Sequence, residues 1–378
     1  MVRHRERQRR RLTLSEARWI VPAYNNAEDL PKCIQGIKTS ALPDTETIVV
    51  DDGSTDGTAQ IPELMGIRTL TLPINSGPAA ARNHGARHAE GDILFFVDAD
   101  VVLAPEAIIR VRQLFEAEPD LAAVFGSYDA APAAPGVISQ YRNLLHHFVH
   151  QNGNPEAATF WAGCGAIRRS VFEEIGGFDE KRFPRSSIED IELGYRLRQA
   201  GYRILLDKSI KGKHLKRWNF WSLIQTDITR RAIPWSRLIL ETKKAPSDLN
   251  LKLGQRVSFG LLALNCVLLS VSVARPEFLV FSALALLVIF FLNRKLYGFF
   301  LRERGVVFAA ACVPLHLLYY LYSGLSYVYV WAQFHIKRVA TVRSISVLKT
   351  VAESLKTLAG QNKLWSYAMG ILVHGVNC

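Results

Sequence analysis

Asp98-Ala99-Asp100 closes the apolar run Ile93–Val97. The run is short and rich in β-branched and aromatic residues, which predicts a buried strand rather than a helix. Strand residues two apart point to the same side, so both carboxylates can face one point beyond the strand's end. Side by side they repel unless a cation stands between them. A hard divalent ion, Mg²⁺ or Mn²⁺, takes such oxygens and keeps positions for phosphate oxygens. A plain polar turn has the same letters, so the meaning of the pair depends on the other clusters.

Several clusters accompany it. Asp51-Asp52-Gly53-Ser54 offers carboxylates and free backbone N–H groups in a tight turn, suited to a nucleobase or a ribose and equally to a helix cap. Asn75 to Asn83 combines a helix start, small residues and Arg82; helix N-termini favour anions, and small side chains also allow close helix–sheet packing. Phe160 to Ala166 is glycine-rich and flanked by aromatics. Trp161 offers a face to a sugar ring, and Gly163 and Cys164 offer close backbone approach. Glu189-Asp190 opens an acidic helix, where a carboxylate facing a cleft serves as a general base or merely complements the helix dipole. His214 follows a short strand at Tyr202 to Leu206 and a basic loop; it is open to a role as metal ligand or as a structural histidine. Arg230-Arg231-Ala232-Ile233-Pro234-Trp235 sets cations beside an indole, as a membrane-interface anchor or a cover over a diphosphate.

These residues need a scaffold. Strands are predicted at 19–21, 47–50, 67–72, 93–97 and 121–128, and helices at 30–38, 77–89 and 105–116. Asn26 is a candidate N-cap. Alternation of this kind predicts an α/β fold with a mainly parallel sheet flanked by helices. Ligands then bind beyond the carboxyl ends of the strands, where the clusters at Pro22, Asp51-Asp52 and Asp98-Asp100 all fall.

Composition divides the chain. The 378 residues carry a net charge of +12. A basic tail is expected over 1–15 and an α/β domain over 16–240. A membrane region with two to three transmembrane helices is expected over 241–336, and a tail with an amphipathic surface segment over 337–378. Val257–Ala274 and Val306–Phe334 reach the roughly 20 residues that a bilayer needs, and Phe278–Leu292 is shorter. Basic residues flank these runs, as on a cytoplasmic face against anionic lipid. That distribution and the lack of any zinc-finger or RNA-recognition spacing argue against nucleic acid. Five scattered cysteines without a Cys-x-x-Cys indicate neither zinc nor a disulfide framework.

From Val21 to about Trp235 the order and spacing of these motifs resemble glycosyltransferase family 2, the inverting enzymes of GT-A fold. The resemblance implies that Pro22, Tyr24, Glu28, Asp52 and Arg82 line the nucleotide pocket. It implies that Asp98 and Asp100 handle a divalent metal and the donor diphosphate. Asp190, paired with Glu189, would be the catalytic base, and His214 falls where some members use a late histidine near the metal. Arg231 to Trp235 is similar to the Gln/Arg-x-x-Arg-Trp motif of processive synthases and ceramide glucosyltransferases, with Pro234 in place of the second Arg. That departure argues against processive polymerisation. The implied reaction moves a sugar from a nucleotide donor, a UDP- or GDP-sugar, to a lipid-linked or glycan acceptor at the membrane. The competing expectation is a non-catalytic nucleotide-sugar-binding scaffold of the same fold. A nucleotidyltransferase would want a glycine-rich basic fingerprint early in the chain, which Ala23 to Leu30 does not offer.

Overall fold

The computed structural model describes residues 17–40, 45–243, 249 and 252–360, beyond 336 essentially as backbone. The tail expected over 1–15 and the segment 361–378 lie outside the described residues. The chain divides into two compact units, one ending at Ser326 and one starting at Tyr327. The second unit is helical backbone through Gly360.

The first unit is built on β1 (Ala17–Ala23), β2 (Glu46–Asp51), β3 (Arg68–Thr71), β4 (Ile93–Val97), β5 (Val101–Leu103), β6 (Leu121–Tyr128), β7 (Cys164–Arg168) and β8 (Arg203–His214). They form one sheet in the order β3-β2-β1-β4-β7-β6-β8-β5. The sheet is mixed. The β3-β2-β1-β4 half is parallel, as the alternation of strands and helices predicts. Beyond it β7 runs antiparallel to β4 and β6, β8 is parallel to β6, and β5 is antiparallel to β8. Strand β8 is also longer than expected. The residues read as a basic loop continue it to His214, which pairs with Val101 just past the Asp98-Asp100 turn.

The helices are α1 (Leu30–Ser40), α2 (Gln60–Leu64), α3 (Pro78–His88), α4 (Ala107–Ala117), α5 (Val137–Gln151), α6 (Arg169–Glu174), α7 (Glu189–Gln199), α8 (Phe220–Thr226) and α9 (Ile233–Thr242). Helices α1 and α4 cover one sheet face with Ile34, Ile37, Ile108 and Phe115. Helices α3, α5 and α7 cover the other with Ala79, Ala81, Leu144, Leu193 and Leu197. Every residue of β4 and β6 is buried, which explains their unbroken apolar character. Asn26 starts α1 through its carbonyl, which accepts from Leu30 N at 3.0 Å.

Between α8 and α9 the chain makes a π-helical turn, Asp227–Ala232. Pro234 has no N–H to give the carbonyl four residues back, that of Arg230. Ser187 Oγ supplies the missing bond, donating to Arg230 O at 2.9 Å.

Helices α10 (Leu253–Ser272) and α11 (Phe278–Leu292) pack as a pair latched by polar groups. Ser282 Oγ donates to Asn265 Oδ1 at 2.7 Å, and Asn293 Nδ2 to Ser258 Oγ at 3.1 Å. Most of their apolar surface is uncovered, with Val267 58% and Leu287 63% exposed. Two helices are long and apolar enough to cross a membrane, α10 and the run Arg294–Ile336. That second run breaks at Gly305, whose φ of 82° reverses the chain. Its arms, 294–304 and 306–326, lie against each other: Phe300 meets Phe308, and Tyr297 Oη lies 3.1 Å from His316 Nδ1. Leu296, Phe300 and Cys312 join the core beside α5. The apolar run Val306–Phe334 is therefore not one uniform span, because its beginning packs on the α/β domain.

Helix α7 crosses the chain at Thr159-Phe160 so closely that a Cβ on Gly194 would overlap Phe160 N and the Thr159 backbone. Gly194→Ala should lower stability by about 1–3 kcal/mol, since backbone cannot move aside as a side chain can. Thermal or denaturant unfolding of the variant against the parent checks this.

Candidate active site

The ends of β1, β2 and β4 meet in a cleft. The loops after β1 and β2 are stitched together. Asn25 N donates to Ser54 Oγ at 2.9 Å, Thr55 N to Asn25 Oδ1 at 2.8 Å, and Asn26 N to Thr58 Oγ1 at 2.7 Å. Tyr24 stands 46% exposed on this wall, next to Pro22. Glu28 is at the exposed rim, where Arg217 Nη2 donates to it at 2.8 Å. Asp52 is buried, and its two oxygens accept from Ser76 N at 2.7 Å and Gly77 N at 2.8 Å. It clamps the entry of α3, and burial raises its carboxyl despite those two N–H groups.

Arg82 reaches inward from α3. Its Nη2 donates to Asp98 Oδ1 at 2.6 Å and its Nη1 to Glu189 Oε1 at 2.9 Å. The guanidinium is only 5% exposed, as is the Glu189 side chain. Arg82 is expected to face a nucleotide; the structure makes it a buried bridge between the end of β4 and the start of α7. Glu189, expected beside Asp190 in the catalytic pair, is buried, and its other oxygen accepts from Ser187 N at 2.8 Å.

Asp190 is placed differently. Oδ2 accepts from Ala162 N at 3.2 Å and Oδ1 from Ile191 N at 2.8 Å, and the side chain stays partly exposed. Desolvation and the neighbouring Glu189 charge push its carboxyl up to about 7, against the pull of Arg82. A carboxylate so raised is suited to proton transfer near neutral pH.

Asp98 and Asp100 keep part of their carboxylates open, 32% and 22% exposed. Burial raises Asp98, offset by Arg82. Burial also pushes Asp100 up, but His214 and Lys216 outweigh it and hold the carboxyl at about 2. His214 Nδ1 lies 2.6 Å from Asn143 Oδ1, an acceptor, so Nδ1 carries the proton. That leaves Nε2, 3.4 Å from Asp100 Oδ2, as the ring position open to a cation. The ring stacks on Tyr128 at 4.3 Å, and Tyr128 meets Trp161 edge-on at 4.8 Å. No three His, Cys, Asp or Glu side chains stand gathered as ready ligands among the described residues. Asp100 and His214 by themselves are donor types that Mg²⁺ or Mn²⁺ takes where substrate phosphates supply the remaining positions.

Gly163 has a steric role. A Cβ there would stand 2.8 Å from Asp98 Oδ2 and 2.7 Å from the Trp161 ring. Cys164, expected to offer close backbone approach to a sugar, has a fully buried side chain, pairs with Val97 in the sheet, and burial pushes its thiol up to about 12. Trp235 packs against Tyr195 and Phe183 rather than lying beside Arg231, and its Nε1 donates to Tyr195 Oη at 3.4 Å. Arg231 pairs with Asp227 at 2.8 Å and lies 5.7 Å from the centre of the Trp218 ring.

Sequence reasoning missed the polar side of α5. Arg142, Asn143, His146 and His150 recur at helical spacing along Tyr141–His150, a signal that this face meets something other than core. Asn143 orients His214. His146 Nε2 lies 2.9 Å from His150 Nε2, beneath Trp161.

Residues 19–176 match the family model described as glycosyl transferase family 2. They form a family 2 glycosyltransferase domain. Among curated relatives, glycosyltransferase AglE of Haloferax volcanii is 37% identical over 52% of this chain and 65% of its own length. The O-antigen chain rhamnosyltransferase RfbN of Salmonella typhimurium is 26% identical over 57% of this chain and 73% of its own. Among solved structures, mannosyltransferase PcManGT from Pyrobaculum calidifontis, in complex with GDP-Man and Mn²⁺, superposes with a TM-score of 0.52. It is 17% identical and the match covers 85% of this chain and 88% of that one. At that identity the likeness speaks for the fold, which is of GT-A type.

Breaking the Arg82 bridge leaves the buried Glu189 carboxylate and the partly exposed Asp98 carboxylate without their partner. Arg82→Met should cost about 3–5 kcal/mol of stability, the range for losing one partner of a buried pair. Glu189→Gln, which keeps an acceptor for Arg82, should cost less; denaturant unfolding of the two variants gives the order. Gly163→Ala should abolish most activity with near-parental unfolding behaviour, since it displaces the Asp98 carboxylate and the Trp161 ring.

Proposed function

We propose that the protein is a membrane-bound inverting glycosyltransferase. It moves a sugar from a nucleotide-sugar donor, a UDP- or GDP-sugar, to a lipid-linked or glycan acceptor. The observation that carries this reading is Asp190: a partly exposed carboxylate raised to about 7, in the same cleft as the Asp98-Asp100 turn and joined to it through Glu189 and Arg82. A non-catalytic scaffold has no need of a carboxylate tuned in this way.

Pro22, Tyr24 and the Asp52 clamp form the wall for the nucleoside, with Glu28 at its rim. Asp100 and His214, with Asp98 beside them in the turn, would hold a divalent ion. When bound, that ion supplies positive charge to the departing diphosphate. Trp161 offers its face to the transferred sugar or the acceptor. Asp190 takes the proton of the acceptor oxygen as that oxygen forms its bond to the anomeric carbon. The bond from that carbon to the diphosphate breaks in the same step, and a single displacement inverts the centre. Arg82 holds Glu189 and Asp98 in place without touching substrate.

Membrane attachment is supported by the exposed apolar faces of α10 and α11 and by the flanking basic residues Arg256, Arg294 and Lys295. With α10 and α11 as an antiparallel pair, the 294–304 arm returns to the side of the α/β domain. Its cations then face the cytoplasmic leaflet, which is the side we assign to catalysis.

A panel of nucleotide sugars incubated with the full chain in native membranes, followed by lipid extraction, should reveal transfer. Asp190→Asn should lower it by about 10²–10⁴-fold while donor binding persists. In the parent, kcat/KM should fall as pH drops through about 7, because the base must be unprotonated to act. Full activity of Asp190→Asn, or a flat profile across that range, would remove Asp190 from the role. EDTA should abolish transfer and Mn²⁺ or Mg²⁺ restore it.

A further inference from the structure

Where the π turn, α5 and the 306–326 arm meet, two guanidiniums share one carboxylate. Arg231 Nη1 lies 2.8 Å and Arg142 Nη2 3.1 Å from the same oxygen, Asp227 Oδ1. Tyr322 Oη donates to Asp227 Oδ2 at 2.7 Å. Asp227 is 2% exposed and saturated with donors. No other carboxylate among the described residues pairs with either arginine. The Arg142 side chain is only 12% exposed, so a positive charge remains in a largely desolvated place. Beside it Trp218 is 7% exposed, with Arg231 over its ring, and its Nε1–H is buried without an acceptor. Spare donors and a surplus cation are the complement of an oxyanion.

The level of this cluster identifies the anion. Tyr320 Oη donates at 2.7 Å to Asn293, the cap that ends apolar helix α11, and Asn293 in turn donates to Ser258 near the start of α10. Tyr322 lies two residues further along the same helix, about 3 Å in axial rise. The surplus charge thus sits where the exposed apolar surface of α10 and α11 gives way to polar groups, the depth of a lipid headgroup. On the other side it reaches the catalytic centre, because Asn143, next to Arg142, holds His214.

We propose that Arg142 and Arg231 form the site for the phosphate of a lipid-phosphate acceptor, drawn from the membrane with its chain along the apolar helices. This rests on the glycosyl-transfer reading above and narrows its acceptor. The phosphate oxygen forms the bond to the anomeric carbon and the nucleoside diphosphate leaves. A monoanionic phosphate gives its remaining proton to Asp190. The donor's diphosphate has the same chemistry, so the test must separate the two sources.

Arg142→Met leaves Arg231 and Asp227 as a balanced pair, and Arg142→Lys keeps the charge. With the full chain in detergent micelles, farnesyl phosphate is titrated calorimetrically, with farnesol as control, and the nucleotide sugar that is the best donor is titrated separately. The expected result is farnesyl phosphate binding weakened about tenfold or more in Arg142→Met, partly restored in Arg142→Lys, with farnesol not bound and donor affinity unchanged. Weakened donor binding with intact farnesyl phosphate binding would assign the cluster to the diphosphate and overturn the proposal. Equal binding of farnesol and farnesyl phosphate by the parent would also overturn it, and that arm needs no variant to fold. Absence of sugar transfer by a parent that binds farnesyl phosphate would count against the preceding reading and leave the anion site standing.

Discussion

Two carboxylates from distant parts of the chain depend on one guanidinium. Asp98 ends a strand and Glu189 begins a helix 91 positions later, and both close on Arg82. The bridge holds the turn after β4 and the start of α7 at a fixed distance. It also separates two adjacent acids: Glu189 is consumed by the bridge, and its negative charge helps to raise Asp190.

Helix α3 can carry this bridge because both its ends of contact are rigid. Asp52 holds the N–H groups at its entry, and Gly77 takes a φ of 90° where a Cβ would strike Pro184 O. Asn83, next to Arg82, accepts from Phe178 N at 2.9 Å and donates to Phe178 O at 2.9 Å. The loop before α7 is thus fastened to α3 twice. Further along α3 the helix packs closely on the sheet: a Cβ on Gly85 would lie 2.6 Å from Ile20 Cγ2.

The parallel half of the sheet was legible in the sequence because each strand there is a short apolar run ended by polar residues. The antiparallel half was not. Strand β8 is basic from Lys208 to Lys213, and its pairing with β5 and β6 is set by tertiary contacts that composition does not encode. The acidic motifs were legible as a group, but their division of labour was not. Which carboxylate of Glu189-Asp190 faces the cleft depends on where α7 starts, and who neutralises Asp98 depends on a residue 16 positions upstream. The fate of Val306–Phe334 shows a different limit. Hydropathy measures how apolar a segment is, and both a bilayer and the core beside α5 accept apolar helices. Gly305 and the aromatic contacts of Phe300 and Tyr297 decide between them.

Helix α5 joins the Asp227 cluster to the Asp100–His214 pair. Adjacent residues on a helix point about 100° apart. Arg142 therefore turns toward Asp227 and the 306–326 arm while Asn143 turns toward His214 and, through it, Asp100. On this geometry the separation between a bound headgroup and the diphosphate is set by one stiff element instead of two loops. Helix α5 is itself pinned on both sides. Ser139 accepts from Trp218 N at 2.7 Å, and Arg304 Nε donates to Gln140 Oε1 at 3.0 Å. The π turn Asp227–Ala232 ends just before Pro234 and carries both Asp227 and Arg231, which pair as helical neighbours four residues apart.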